Sequence, residues 1–96
     1  MENILDYVKE KAKSNPPLNA KLKISTDKMH YFIDGTGEIN EVSNADLPSD
    51  CVITCSEKVL EKIITGKLSS TMAVITGKIK IQGNMSVAVK LQTIIN

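Results

Sequence analysis

Apolar residues recur at helical spacing near the start of the chain, alternate through its middle, and spread around a wide arc at its end. In residues 2–14, Ile4, Leu5, Val8 and Ala12 return every three or four positions, which predicts an amphipathic helix ended by Asn15-Pro16-Pro17. Acids at Glu2 and Asp6, followed by Lys9, Lys11 and Lys13, suit the dipole of that helix. Packing of its apolar face on its own sheet is favoured over contact with a membrane or partner. Residues 18–25 then alternate, Leu18, Ala20, Leu22 and Ile24 against Asn19, Lys21, Lys23 and Ser25, as in a half-buried strand. A turn at 26–28 leads to a second strand, 29–34, with Met29, Tyr31 and Ile33 inward and His30 and Phe32 outward. Gly35-Thr36-Gly37 turns into a third strand, 38–42, which shows Ile39 and little else apolar. An antiparallel meander is the simplest account.

A polar loop at 43–50 precedes a fourth strand, 51–55, which is either buried on both faces or has Cys51, Ile53 and Cys55 as its inner face. Ser56 is a good N-cap for a helix over 57–65, with Val59, Leu60, Ile63 and Ile64 on its apolar side and Gly66 as its stop. Residues 69–76 form one or two helical turns carrying Met72, Ala73, Val74 and Ile75. A fifth strand, 78–82, points Ile79 and Ile81 inward; Gly83 ends it and Asn84 caps the last helix. At 100 degrees per residue, Met85, Val87, Ala88, Val89, Leu91, Ile94 and Ile95 cover roughly 220 degrees of that helix, about twice an ordinary apolar stripe. A small domain seldom covers both flanks of such a helix with its own side chains.

Ninety-six residues suffice for one domain with one core. A net charge of +1 sets up no strong field for a polyanion. All 12 basic residues are Lys, and the aromatics are only Tyr7, Tyr31 and Phe32, so neither bidentate phosphate contacts nor a base-stacking platform is available; no nucleic-acid partner is expected. No apolar run approaches a membrane span, and the acidic N-terminal stretch does not read as a signal peptide. Cys51 and Cys55, about 13 Å apart along a strand, are too distant for a disulfide. Two free thiols without a signal fit a reducing, cytoplasmic setting. Cys51 and Cys55 have no neighbouring His or third Cys to make a metal site, so no metal or cofactor is expected. His30, the only histidine, has no Ser or carboxylate at a spacing that makes it a base and reads as a solvated strand residue; no enzyme activity is expected. Gly35-Thr36-Gly37 is followed by Asn40 and no helix, so it is a hairpin turn rather than a dinucleotide fingerprint.

The chain resembles the sterol-carrier-protein lipid-binding domain family. The resemblance rests on Asp50-Cys51-Val52-Ile53-Thr54, Thr65-Gly66-Lys67-Leu68, Gly77-Lys78-Ile79-Lys80-Ile81, Gly83-Asn84-Met85 and Lys90-Leu91-Gln92, in the family's order and spacing. Ile33-Asp34 and Gly35-Thr36-Gly37 extend it toward residue 20. The resemblance implies an α+β fold: a mixed, mostly antiparallel five-stranded sheet covered on one side by helices, with a hydrophobic tunnel between them that the C-terminal helix helps to wall. Members bind fatty acids, acyl-CoAs, sterols or other lipids. The chain departs from the family pattern at Val74 and Ile75, where Phe is frequent, near Ser70, where Pro is common, and at Ser86, where Gly is usual. Its first helix is short by family standards, and residues 93–96 lack the peroxisomal tripeptide of some members.

With that fold, the expected lining is Ile24, Tyr31, Ile33, Ile63, Ile64, Met72, Ile75, Ile81, Met85, Ala88, Val89 and Gln92. On the last helix, Val87, Leu91 and Ile94 hold it to the protein, and Met85, Ala88, Val89 and Gln92 face the ligand. Gln92 lies inside the apolar arc, where an unpaired amide costs roughly 1–3 kcal/mol. Its partner is a ligand head group, a bound water or backbone in the neighbouring strand. The expected function is binding and transfer of a fatty acid, acyl-CoA or sterol-like lipid by a monomer or weak dimer in transient contact with a membrane. The alternative is a ligand-free interaction domain whose last helix packs in a homodimer.

Overall fold

The computed structural model describes residues 3–95. The elements run α1 (Ile4–Lys13), β1 (Lys21–Ser25), β2 (His30–Asp34), β3 (Glu41–Ser43), β4 (Cys51–Thr54), α2 (Glu57–Ile64), α3 (Ser70–Ile75), β5 (Lys80–Gly83) and α4 (Met85–Ile95). The strands make one sheet in the order β3-β2-β1-β4-β5. β1 and β4 are parallel, and every other neighbouring pair is antiparallel. This is the expected mixed α+β fold.

The register decides which side chains meet. Ile24 lies opposite both Tyr31 and Ile53, Ile53 opposite Ile81, and Leu22 opposite both Ile33 and Cys51. Side chains paired across a pleated sheet share a face, so these residues form the inner face, and they join Val8, Ala12, Leu60, Ile63, Ala73 and Leu91 in one core. α1 packs against β3 and α4, and α4 against β4 and β5. In β4, Cys51 and Ile53 are buried, Val52 half-buried and Thr54 exposed, which selects the one-sided reading of that strand. Both thiols are free and buried.

Local chemistry sets the helix starts. Asn3 caps α1 by accepting from the Asp6 N–H at 3.1 Å, Ser56 caps α2 through the Val59 N–H, and Ser69 caps α3 through the Met72 N–H. Of the expected first and last residues, Glu2 and Asn96 lie outside the described ones.

Three expectations change. β1 begins at Lys21 rather than Leu18, because Asn19 adopts a left-handed φ of 58° and turns the chain. β3 covers only Glu41–Ser43, and Val42, not Ile39, packs against the core; Ile39 is exposed. The cause is Asn40, 1% exposed, which is pulled out of any strand register. Its Oδ1 accepts from the Leu18 N–H at 2.9 Å, and its Nδ2 donates to the carbonyls of Ala12 and Pro16, both at 3.0 Å. One buried amide thereby ties the end of α1 to the β2–β3 turn.

The third change is on the outer face. Residues 43–50 lead from the edge strand β3 back across β2 and β1 to reach β4, and Asp46 marks their path. Its carboxylate lies 2.6 Å from Lys23 Nζ and 3.6 Å from His30 Nε2. The Lys23 hydrogen bond holds the Asp46 carboxyl below the usual carboxylate range. Phe32, outward-facing as expected, is nonetheless only 5% exposed on this face. His30 is not a freely solvated residue: its Nδ1 is buried and has no hydrogen-bond partner. Strand alternation alone does not report a loop that folds back over the polar face.

Candidate functional site

The inner face of β1, β4 and β5 is roofed by α2, α3 and α4, and the roof does not close completely. A narrow cavity of about 40 Å³ lies against the sheet, lined by Ile24, Ile53, Cys55, Leu60, Ile63, Ser70, Val74, Ile79, Ile81, Ala88, Leu91, Gln92 and Ile95. Outside it runs a groove of about 220 Å³ between α3 and α4, lined by Thr71, Val74, Ile75, Ile81, Met85, Ala88, Val89 and Gln92. Val74, Ile81, Ala88 and Gln92 line both, so cavity and groove meet at a neck these four residues share. A third recess, about 410 Å³, adds Ile64, Gly66, Leu68 and Ser69, and Gln92 borders this one too.

The wide arc of α4 divides cleanly. Val87, Ala88, Leu91, Ile94 and Ile95 are all buried, and they occupy about 120 degrees of the helix, an ordinary stripe. Met85 and Val89 are 55% and 59% exposed and line the groove, with Gln92 between the two groups. The excess width of the apolar arc is the groove wall.

Gln92 has a partner none of the three expectations named. Its Nε2 donates to Ser70 Oγ at 2.9 Å, joining α4 to the first turn of α3. Ser70 is buried despite being polar. This bond crosses the neck.

Of the residues expected to line a site, Ile24, Ile63, Ile81, Ala88 and Gln92 border the cavity, and Ile75, Met85 and Val89 the groove. Ile64 borders the open recess. Ile33, on the same sheet face, is wholly buried core. Tyr31 is also core, and its hydroxyl donates to the Glu57 carboxylate at the start of α2. Met72, 49% exposed on α3, borders none of these spaces. Sequence reasoning missed Ile53, Cys55, Leu60, Ser70, Val74, Ile79, Leu91 and Ile95 as lining of the cavity and Thr71 as lining of the groove. Ile53 was recoverable from alternation, since it shares the inward parity of Cys51, and Leu60 from its place beside Ile63 and Ile64 on one helix face. Ser70 carried no signal, because a serine in the first turn of a short helix reads as solvated.

The electrostatics of the site are set by burial. Burial pushes the Cys55 thiol up to about 11, with the Glu57 and Asp27 carboxylates adding to the shift, and burial also raises Cys51. Tyr31 is raised too, by burial first and then by its bond to Glu57. These thiols are therefore neutral packing groups at ordinary pH, not nucleophiles. The sign follows from linkage: the folded chain holds these protons more tightly than the unfolded chain, whose thiols titrate near 9.0. The stabilisation is complete below pH 9 and is lost as pH rises through the folded value. Thermal melts should coincide at pH 7 and 8.5 and fall steadily between pH 9 and about 11; a melting temperature unchanged to pH 11 would contradict the assignment.

Comparison with known proteins bears on this arrangement directly. The SCP-2 sterol transfer family matches residues 4–96. Sterol carrier protein 2 of Bos taurus is 39% identical over 61 residues, 64% of this chain and 11% of that protein. The chain thus spans about a tenth of the length of the curated relatives it matches. Sterol carrier protein 2 like 2 of Aedes aegypti superposes with a TM-score of 0.74 at 20% identity, covering 96% of this chain and 93% of that one. Sterol carrier protein 2 of Aedes aegypti, solved with the C16 fatty acid palmitate, superposes with a TM-score of 0.73 at 17% identity, covering 99% and 96%. The two structural likenesses are of fold. With its family match running from the first turn of α1 through α4, and with this sheet and these helices in place, the chain belongs to the SCP-2 sterol transfer family.

Proposed function

We propose that this domain binds the acyl chain of a fatty acid or fatty acyl-CoA, or a sterol-like lipid of similar girth, between its sheet and α3 and α4, and carries it without transforming it. The observation that carries the reading is a mostly apolar cavity adjoining a mostly apolar groove, with Val74, Ile81, Ala88 and Gln92 lining both. The relative from Aedes aegypti solved with palmitate supports the ligand class. The single histidine lies on the outer face of the sheet, away from the cavity. Both thiols are free, which suits a reducing compartment such as the cytoplasm.

Magnitudes decide how a ligand enters. A cavity of 40 Å³ holds about three water-sized groups at 10–15 Å³ each, too few for a long chain. Entry therefore requires α3 and α4 to part and the Gln92–Ser70 bond to open. Losing that bond costs about 1 kcal/mol, whereas each buried methylene gains about 0.8 kcal/mol. Two methylenes offset the opening, and the rest of the chain supplies affinity.

Saturable uptake of palmitate by the purified monomer, followed by displacement of a fluorescent fatty acid, tests the reading; a protein that takes up neither would overturn it. Gln92→Leu should weaken palmitate binding about five- to tenfold, as expected for loss of one polar contact to the head group, while loss of the bond to Ser70, about 1 kcal/mol, lowers the melting temperature by no more than about 4–8 °C. Equal affinities for the two proteins would remove the amide from the site.

A further inference from the structure

We infer that the site selects its lipid by head-group charge. It takes a long alkyl chain that ends in an uncharged hydroxyl, as in a fatty alcohol or a monoacylglycerol, in preference to the ionised fatty acid of the same chain length. The inference deepens the lipid-carrier reading and rests on it for the presence of a chain between the sheet and α3 and α4.

Charge is missing where a carboxylate would need it. None of the residues lining the cavity, the groove or the third recess is Lys, Arg, His, Asp or Glu. The lysines of the surrounding elements are placed elsewhere. Lys90 Nζ donates to the Leu18 carbonyl at 3.2 Å. Lys80 lies opposite Thr54, which is exposed on the outer face of the sheet. Lys67 stands between Gly66 and Leu68 of the recess and is exposed without lining it. The charges that act on the lining are acidic: the Glu57 and Asp27 carboxylates add to burial in raising the Cys55 thiol. An ionised carboxylate drawn in among these side chains gives up its water, finds no counter-charge and meets like charge.

The site offers hydrogen bonding without charge. Gln92 borders all three spaces, so a head group at either mouth of the cavity meets its amide. One Nε2 hydrogen goes to Ser70 Oγ at 2.9 Å. The second Nε2–H and the Oε1 of Gln92 have no partner among the described residues. A hydroxyl donates and accepts, so it satisfies both; a carboxylate only accepts, so it satisfies the N–H alone. Thr71, exposed and lining both groove and recess, adds another group of the same uncharged kind.

Titration calorimetry of dodecanol, methyl dodecanoate and dodecanoate at about pH 8, where the acid is ionised, tests the inference. Dodecanol should bind about tenfold or more tightly than dodecanoate. Methyl dodecanoate, uncharged but unable to donate, should fall between them. Gln92→Leu should weaken dodecanol more than dodecanoate, because the alcohol loses two hydrogen bonds and the acid one. Thr71→Lys, which sets a cation where groove and recess meet, should raise the affinity for dodecanoate relative to dodecanol about three- to fivefold, and the gain should fade as salt rises. Thermal melts establish that both variants are folded. Dodecanoate binding to the parent as tightly as dodecanol would overturn the inference and leave the lipid-carrier reading standing. So would an equal loss of the two ligands in Gln92→Leu. Failure of all three ligands to bind would sink the carrier reading itself, and the inference with it.

Discussion

Val74→Trp should reduce palmitate uptake more than tenfold while the fold stays intact. Val74 borders both the cavity and the groove, and it is 41% exposed, so its side chain stands at the neck with open space beyond it. An indole brings 150–250 Å² of apolar surface, roughly enough to lie across the neck and occupy the path an acyl chain would take. Because the site is partly open, the added bulk need not force the core apart, and the stability change should stay within about 0.5 kcal/mol. Val74→Ala, which widens the neck, should bind palmitate at least as well as the parent. Titration of the three proteins with a fluorescent fatty acid checks the pair. Unchanged affinity in Val74→Trp would mean that the lipid does not pass this point.

Gly83→Ala should lower the stability of the domain by about 4 kcal/mol, a large share of the roughly 5–14 kcal/mol expected for a chain of this length. Gly83 has a φ of 93°, and a Cβ there would lie 2.4 Å from the Asp50 carbonyl oxygen. Asp50 cannot yield. Its N–H donates to the Lys21 carbonyl at 2.8 Å, its side chain accepts from the Lys21 N–H at 2.9 Å, and its carbonyl accepts from the Asn84 N–H at 2.9 Å. Gly77 supplies the comparison: its φ is 76°, but nothing lies within 4 Å of a Cβ built there. Gly77→Ala should therefore cost only the backbone strain, about 1–2 kcal/mol. Urea unfolding midpoints of the two variants separate clash from strain. Equal losses would show that the Asp50 contact relaxes.

The parts of the fold that were legible in the sequence are those where one period ran without interference. The alternation of Leu22 and Ile24, of Tyr31 and Ile33, and of Cys51 and Ile53 named the inner face, because each strand has one face on the core. The arc of α4 also told more than its helicity. Its width exceeded what a small core covers, and the surplus residues Met85, Val89 and Gln92 do border open space. Illegible were the features made by residues far apart in the chain. Asn40 reads locally as a strand or turn residue; only its contacts with Ala12, Pro16 and Leu18 explain why β3 shrinks. Tyr31 and Ile33 share the face of the cavity residues, and period alone does not tell which end of a sheet lies under a loosely fitted roof. Ser70 and Gln92 are 22 positions apart, and neither pattern nor propensity pairs two polar residues on different helices.

The brevity of the outermost strands has a consequence for how this chain behaves in company. β3 has three residues and β5 four, and they are the two open borders of the sheet. A border that short offers few backbone donors and acceptors in a row, and Glu41 and Lys80 place charges on it. Neighbouring molecules therefore find no template on which to extend the sheet into a fibril, even though the groove beside β5 bares aliphatic surface. The sheet protects the chain from cross-β growth by what it lacks at its margins, which leaves the sticky groove free for a lipid.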